Sequence, residues 1–337
     1  MSNAELPPEA DQVVTEPPDV ASWTENLLFS LYDGGNDIGM WLHLGTSPDD
    51  WTLWEDRVLI TLPSEHGVLS MWAYHRTAPE RRPGGANLSA RQREPFKRWQ
   101  VSFDGFALLT PYETLRTSIV ADGPKHRVTL ELDVELVTPP WDARAAARQA
   151  TGKGSMESQD WAHDHYEQLC VARGTVTTPA GEVAFDGTGW RDHSRGPRGT
   201  GVGETWGGHV IMGAWFPVQQ VGVGLSRYLA PNGDITLEGG YIVEHGTLRH
   251  VVVADVPGLD ELRKDGEPLH FVLDDAGTEV VVEATTTTSI WTMMSTGMPY
   301  GVDLSKPGYV YAINFATAEL RGERAHLYVE RSARFGS

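Results

Sequence analysis

Short runs of alternating apolar and polar residues recur along the chain from about Trp23, and they constrain the fold more than any other feature. NLLFSLYD, KHRVTLELDVELVT and GYVYAINFATAEL are examples; they are rich in aromatic and β-branched residues and are bounded by Gly, Asp, Asn or Pro. Such runs at regular spacing predict an all-β protein of antiparallel sandwich or barrel type. The one convincing helical segment is WDARAAARQA, residues 141–150, so helix content should be low.

The chain is long enough for two domains, since its 337 residues exceed the size at which single cores usually stop growing. Two β-rich halves of similar size predict two related barrels, one over residues 21–182 and one over residues 183–337. Residues 1–20 are acidic and proline-rich, which is typical of a disordered leader. Residues 76–94 lack periodicity and are predicted to form a long loop, either a functional lid or a disordered segment.

The charge and the cysteine content exclude several classes of partner. With 27 basic and 46 acidic residues the net charge is −19, which disfavours nucleic acid and anionic membrane surfaces. No run approaches the roughly 18 apolar residues of a spanning helix, and the leader lacks the apolar core of a signal peptide. We therefore expect a soluble, cytoplasmic protein. Its single cysteine, Cys170, allows no internal disulfide and is expected to be a small buried hydrophobe.

No cofactor or metal is expected from the motifs. The stretch GTGVGETWGG, residues 199–208, fails the dinucleotide pattern G-x-G-x-x-G because Glu204 takes the last glycine position. His163 and His165 could present two rings on one strand face, but a third metal ligand is not evident. Solvated or locally hydrogen-bonded histidines are the favoured interpretation of that pair.

The segment GTGWRDHSRGPRG, Gly187–Gly199, is the densest concentration of polar chemistry in the chain. A stretch so rich in charge is a poor strand and a poor core, and any buried charge in it must be paired or hydrogen-bonded. Two interpretations stay open. The segment is either the functional centre or an inter-domain latch, in which one of Arg191, Arg195 and Arg198 pairs with Asp192.

Three motifs resemble one known family. HYEQ (His165–Gln168), G-x-G-x-R-D-H-S-x-G-P-R (Gly187–Arg198) and YVERS (Tyr328–Ser332) resemble the bacterial branch of the AttH and hydroxyneurosporene synthase superfamily, which includes carotenoid 1,2-hydratases and kievitone hydratase. The resemblance covers most of the chain after about residue 20. Relatives commonly carry Trp after the Asp-His-Ser triplet, where this chain has Arg195.

The resemblance implies two lipocalin-like β-barrels packed together, with a ligand cavity near their junction. Members act without cofactors on isoprenoid-type molecules and add water to an isolated alkene. The superfamily also contains pericyclases, so membership does not fix the chemistry. The expected partner is a lipophilic small molecule, and a homodimer is left open.

Hydration of an alkene needs a carboxylic acid that an apolar pocket keeps protonated, and a base that orients water. Asp192 is the expected acid, Glu167 is the second carboxylate, and His193 is expected to place the water or tune Asp192. If Arg191 and Arg198 point into the pocket, they lower the pKa of Asp192, and Glu167 becomes the better acid. The expected substrate-binding residues are Tyr166, Trp190, Arg191, Ser194, Trp206 and Trp215.

Three function classes follow. The first is a lyase, a hydratase or dehydratase acting on an isoprenoid or prenylated aromatic alkene. The second is a cofactor-free cyclase or isomerase on the same scaffold. The third is a non-catalytic carrier of a lipophilic molecule.

Overall fold

The computed structural model describes residues 6–16, 18–48, 50–120, 122–159, 161–198, 206–258, 265–293, 300–303, 305 and 308–335. The strands in chain order are β1 Trp23–Asp33, β2 Ile38–Ser47, β3 Asp50–Thr61, β4 Val68–Arg76, β5 Leu88–Glu94, β6 Arg98–Thr110, β7 Ile119–Val120, β8 Lys125–Leu136, β9 Trp141–Asp142, β10 Lys153–Gly154, β11 Asp164–Thr178, β12 Gly181–Pro197, β13 Gly208–Phe216, β14 Val221–Leu229, β15 Ile235–Glu244, β16 Thr247–Asp255, β17 Pro268–Asp275, β18 Thr278–Met293, β19 Tyr300–Gly301, β20 Gly308–Leu320 and β21 Glu323–Phe335. The α-helices are α1 Tyr112–Thr117 and α2 Ala143–Ala147, and 3-10 helices span Pro8–Asp11, Pro79–Arg81 and Met156–Ser158.

Two antiparallel sheets carry these strands, and each closes on itself. In the first barrel the order is β12-β1-β2-β3-β4-β6-β8-β11, and β11 pairs with β12 to close it. In the second barrel the order is β17-β16-β15-β14-β13-β21-β20-β18, and β17 pairs with β18. Closure removes the exposed sheet edges that an open sheet would present. The all-β fold predicted from the alternating runs is confirmed, and so is the lipocalin-like architecture that the family resemblance implies.

The apolar side chains sort into three groups, as alternation on closed sheets requires. One group fills the first barrel and includes Leu42, Trp99 and Cys170, which is buried as expected. A second group fills the other barrel. The third group lies between the barrels and is rich in aromatic residues, with Trp190 and Tyr328 among its members.

The segments that connect β6 to β8 and β8 to β11 link the two barrels. Strand β7 pairs with β19, and β10 pairs with β15, so two short strands from the first half of the chain extend the second sheet. The predicted helix 141–150 is present in shortened form as α2, after the two-residue strand β9. No helix among the described residues is long and apolar enough to span a membrane.

Two predictions of irregular structure need correction. Residues 88–94, placed in a long loop, form strand β5 and pair with β6. The leader, predicted to be disordered over residues 1–20, contains the 3-10 helix Pro8–Asp11, and Asp11 is fully buried. The composition of the leader suggested disorder because composition is local, whereas the cationic partner of the Asp11 carboxylate lies about 180 residues away in the chain.

The division of the chain at residues 182 and 183 stays a prediction. The division falls at the beginning of β12, and β12 pairs with β1 and β11 of the first sheet.

Candidate active site at the junction of the two barrels

The polar segment Gly187–Gly199 is regular strand as far as Pro197, which corrects its interpretation as a poor strand; Gly199 lies outside the described residues. Strand β12 is hydrogen-bonded on both sides, to β1 and to β11, so its backbone groups are satisfied although its side chains are polar. Alternation then sends successive side chains to opposite faces. Arg191, His193 and Arg195 face the interior of the first barrel, whereas the residues between them face the second barrel.

The interior-facing charges have partners in the N-terminal segment. Arg191 Nη2 lies 2.6 Å from Asp11 Oδ1, and both side chains are fully buried. Its guanidinium carbon lies 5.1 Å from the ring centre of Trp99 and 5.4 Å from that of Tyr166. The backbone N–H of Phe96 donates to Asp11 Oδ2 at 2.7 Å. This arrangement is a closed ion pair that fixes the leader over the end of the barrel.

His193 belongs to the same interior network. Its Nε2 is 2.6 Å from Glu25 Oε1, and its Nδ1 is hydrogen-bonded to the Tyr166 hydroxyl, which also donates to the carbonyl of Ala10. Burial, and then the positive charges of Arg191 and Arg195, hold the pKa of His193 well below its usual value. Burial raises the pKa of Glu25 to about 8, although the backbone N–H of Val14 lowers it in part. A neutral histidine beside a protonated carboxyl therefore occupies this position.

Asp192 faces the other way, into the junction. It is paired with Glu167 across strands β12 and β11, and its side chain is 15% exposed. Its Oδ2 lies 3.6 Å from His165 Nδ1. Among the described residues, Asp192 Oδ1 and His165 Nδ1 are buried atoms with no hydrogen-bond partner. Such atoms cost free energy unless something outside the chain satisfies them.

Glu167, by contrast, is fully engaged. Its Oε1 is 2.9 Å from His165 Nε2 and accepts a hydrogen bond from the Ser226 hydroxyl at 2.6 Å. Its Oε2 accepts from Trp190 Nε1 at 3.0 Å. Three donors and complete burial fix this carboxylate in place. Glu167 can therefore orient His165 but has no free oxygen to offer a substrate.

The environment of Asp192 keeps a large fraction of its carboxyl groups protonated at neutral pH. Burial is the largest cause and raises its pKa to about 7, and the negative charges of Glu167 and Glu330 act in the same direction. His165 and Arg191 lower it without reversing the shift. Arg191 has the weaker influence because its guanidinium lies on the opposite face of the strand. The net charge of neighbours raises the pKa of His165, although burial alone would lower it.

The third motif, Tyr328–Ser332, completes the junction from the second barrel. Glu330 Oε1 is 3.0 Å from His209 Nε2, and Glu330 also accepts hydrogen bonds from the hydroxyls of Tyr311 and Tyr328. Trp41 of the first barrel donates to Glu330 Oε2 at 3.4 Å. Burial raises the pKa of Glu330, but these hydrogen bonds and His209 outweigh it and leave the pKa lowered. The second barrel thus presents an ionised carboxylate.

Aromatic rings surround these groups. Trp190 stacks on Tyr328 with ring centres 5.3 Å apart. Gly213 makes this packing feasible, because a Cβ there would lie only 2.6 Å from the Trp190 ring. Trp206 donates to the Ser332 hydroxyl at 3.0 Å and packs edge-on against Tyr228. These rings belong to the aromatic layer between the barrels, on the side of β12 to which Asp192 points.

The residues expected from the sequence therefore fall on two sides of β12. Asp192, Glu167 and Trp190 meet at the junction, and Trp206 and Trp215 belong to the same aromatic layer. Ser194 is buried on the junction side of the strand. Tyr166, Arg191 and His193 lie in the first barrel, so they do not line the junction in this structure. Arg195, the departure from the family pattern, reaches Glu25 and Asp164 and points away from Ser194.

Sequence reasoning missed several residues of the junction. His165 and Glu330 stood inside quoted motifs but received no role, although both sit at alternate positions on the face that their strands direct to the junction. Tyr228, His209 and Ser226 carried no local signal. They are brought to the site by β13 and β14 of the second barrel.

The structure also contains cavities elsewhere. One of about 230 Å³ lies beside Thr317 and Arg324–His326 in the second barrel, and one of about 70 Å³ lies beside Thr77 and Arg81. Neither contacts Asp192. The ligand cavity at the junction stays a prediction.

Fold and junction together define a double β-barrel protein of the lipocalin-like type with two histidines and three carboxyl groups between the barrels. At the level of sequence, residues 8–300 match the family described as Domain of unknown function (DUF7064), and the chain belongs to that family. No curated protein matches the sequence.

Solved structures share the fold at low sequence identity. An AttH protein from Nitrosomonas europaea has a TM-score of 0.54 at 11% identity, covering 92% of this chain and 91% of its own. Kievitone hydratase from Nectria haematococca has a TM-score of 0.52 at 10% identity, covering 98% and 95%. CghA, solved with Sch210972, has a TM-score of 0.50 at 13% identity, covering 94% and 89%. These similarities show that the double-barrel architecture is that of the AttH and kievitone hydratase structures.

Proposed function

We propose that the protein is a cofactor-independent hydratase or dehydratase, and that Asp192 protonates an alkene carbon of a lipophilic isoprenoid or prenylated aromatic substrate. The observation that carries the proposal is the Asp192 carboxyl itself. It combines a pKa of about 7, a hydrogen-bond-free Oδ1 and partial exposure in an aromatic junction. A carboxylic acid in such surroundings is a competent proton donor at neutral pH.

The hydration proceeds in two balanced steps. The Asp192 proton and the two π electrons of the alkene form a C–H bond, which leaves a carbocation and the Asp192 carboxylate. A water oxygen then forms the C–O bond, and the proton that it loses returns to Asp192. Dehydration is the reverse sequence.

His165 and Glu167 support the charge that develops on Asp192. Glu167 Oε1 accepts from His165 Nε2, so a proton on His165 Nδ1 faces Asp192 Oδ2 at 3.6 Å. This positive group stabilises the carboxylate during the interval between the two steps. The faces of Trp190, Tyr228 and Trp206 can stabilise the carbocation by cation–π attraction.

The kievitone hydratase fold supports hydration as the chemistry, and the CghA fold supports the alternative of a cofactor-free cyclase or isomerase. In that alternative the aromatic walls shape the substrate and Asp192 need not donate a proton. A non-catalytic carrier would need neither a site that shapes the substrate for reaction nor a proton donor.

The test is turnover of prenylated phenols and isoprenoid alkenes in deuterated water. A hydratase forms an alcohol that carries deuterium on the protonated carbon. Conversion without deuterium at carbon would refute the hydratase in favour of the cyclase or isomerase. Tight binding without any conversion would support the non-catalytic carrier.

A further inference from the structure

Arg198 is a cation without an ion-pair partner among the described residues. It follows β12, and its backbone N–H donates to the carbonyl of Ser22 at 2.8 Å, which fixes its backbone position. Its side chain is partly buried, and within the described part of the chain its Nε is a buried atom with no hydrogen-bond partner. No carboxylate among the described residues lies within ion-pair distance of it.

Other buried arginines of this protein are paired. Arg191 lies 2.6 Å from Asp11 Oδ1. Arg331 donates to both oxygens of Glu267, at 3.0 and 2.6 Å. A partly buried guanidinium without a counter-ion is costly to hold. Because the described residues supply no counter-ion, the guanidinium is available to a bound anion.

Arg198 lies directly after the end of β12, the strand that carries Asp192. Burial is the largest influence on the pKa of Arg198 and lowers it, while the charges of Asp192, Tyr311 and Glu55 act in the opposite direction. Arg57 lowers it further. Tyr311 belongs to the second barrel and Glu55 to the first, so Arg198 lies within electrostatic range of both barrels.

We propose that Arg198 binds an acidic oxygen of the substrate, so that the substrate is a lipophilic molecule with an anionic head such as a carboxylate, a phenolate or an enolate. The planar guanidinium is suited to pair with such oxygens. An anion at this position also favours the protonated form of Asp192, which the proposed reaction requires. The inference rests on the proposed function for the placement of the reacting carbon near Asp192, but not for the binding itself.

The experiment compares farnesoic acid with its methyl ester on the full-length protein at neutral pH, with binding followed by the fluorescence of the tryptophans between the barrels. The wild type is expected to bind the acid at least about tenfold more tightly than the ester, as one charge-assisted hydrogen bond provides. Arg198→Gln should abolish this preference and leave the affinity for the ester unchanged. Arg198→Lys should retain part of it.

The matched control is Arg127→Gln, which removes a surface arginine whose partner is Asp104. This variant should keep the full preference, and an unchanged melting temperature of Arg198→Gln shows that its barrel is intact. Equal wild-type affinities for acid and ester, binding of neither, or equal weakening of both by Arg198→Gln overturns the proposal. Asp192→Asn should keep the preference, so a failure of the hydratase chemistry is distinguishable from a failure of anion binding.

Discussion

Strand β12 carries two polar faces that differ in how completely their charges are paired. On the interior face, Arg191 Nη2 lies 2.6 Å from Asp11 Oδ1 and His193 Nε2 lies 2.6 Å from Glu25 Oε1, although Arg191 Nε and Nη1 have no hydrogen-bond partner among the described residues. On the junction face, Asp192 Oδ1 has no hydrogen-bond partner among the described residues, and Asp192 Oδ2 lies 3.6 Å from His165 Nδ1. Breaking a buried pair destabilises a fold, whereas unpaired polar atoms in a cleft are typical of a place where a ligand binds. We therefore assign a structural role to the interior face and a catalytic role to the junction face.

The largest expected effect comes from the junction face. Asp192→Asn removes the proton donor, and turnover should fall by about 10²- to 10⁴-fold, the usual contribution of general acid catalysis. The free energy of unfolding at neutral pH should not fall, because the amide removes a group whose raised pKa opposes folding as the pH rises toward 7. The loss of turnover is measured by steady-state kinetics with the substrate that the deuterium experiment identifies. Asp186→Asn, on the same strand but exposed and paired with Arg173, is the control; an equal loss in both variants would contradict the assignment.

The next largest effect is expected from loss of the ion pair on the interior face. Arg191→Met leaves the Asp11 carboxylate without its cation, and the free energy of unfolding should fall by about 3–5 kcal/mol. Denaturant titration measures the loss. The double variant Arg191→Met/Asp11→Ala should recover much of it, because the two side chains act as a pair. Additive losses in the double variant would show that the leader contributes nothing through this ion pair.

The interior face should also give stability a pH dependence. The pKa of Glu25 is raised from an ordinary 4.5 to about 8, so its stabilising contribution is full below pH 4.5 and is lost as the pH rises through 8. Asp192, raised from 3.8 to about 7, acts in the same direction. Unfolding free energies measured across that window should decline with pH, by an amount on the order of a few kcal/mol. Glu25→Gln should flatten the decline, whereas Glu65→Gln on the exposed surface should not.

The smallest effect concerns the support of the junction. Ser226→Ala removes the hydroxyl that donates to Glu167 at 2.6 Å and should cost about 1 kcal/mol of stability. His165 is then held less firmly, and turnover should fall by less than it does in Asp192→Asn. Thermal unfolding and kinetics on the same preparation measure both. A loss of turnover as large as that of Asp192→Asn would assign the acid to Glu167 instead.

The fold could be predicted because strand alternation is a local property of the sequence. The same alternation, applied across Gly187–Pro197, would also have separated Asp192 from Arg191, but the density of charge concealed the strand. The seating of Asp11 could not be foreseen, since it depends on an arginine far along the chain. The influence of Glu330 on the pKa of Asp192 likewise depends on how the two barrels pack, and no local sequence pattern predicts it.

The central claim is that burial on the junction face keeps a large fraction of Asp192 protonated at neutral pH. The most direct measurement is a pH titration of the carbon-13 resonances of labelled aspartate carboxyls, with Asp192→Asn used to assign the signal. The account predicts a midpoint of about 7. A midpoint in the ordinary range, near 4, would contradict it.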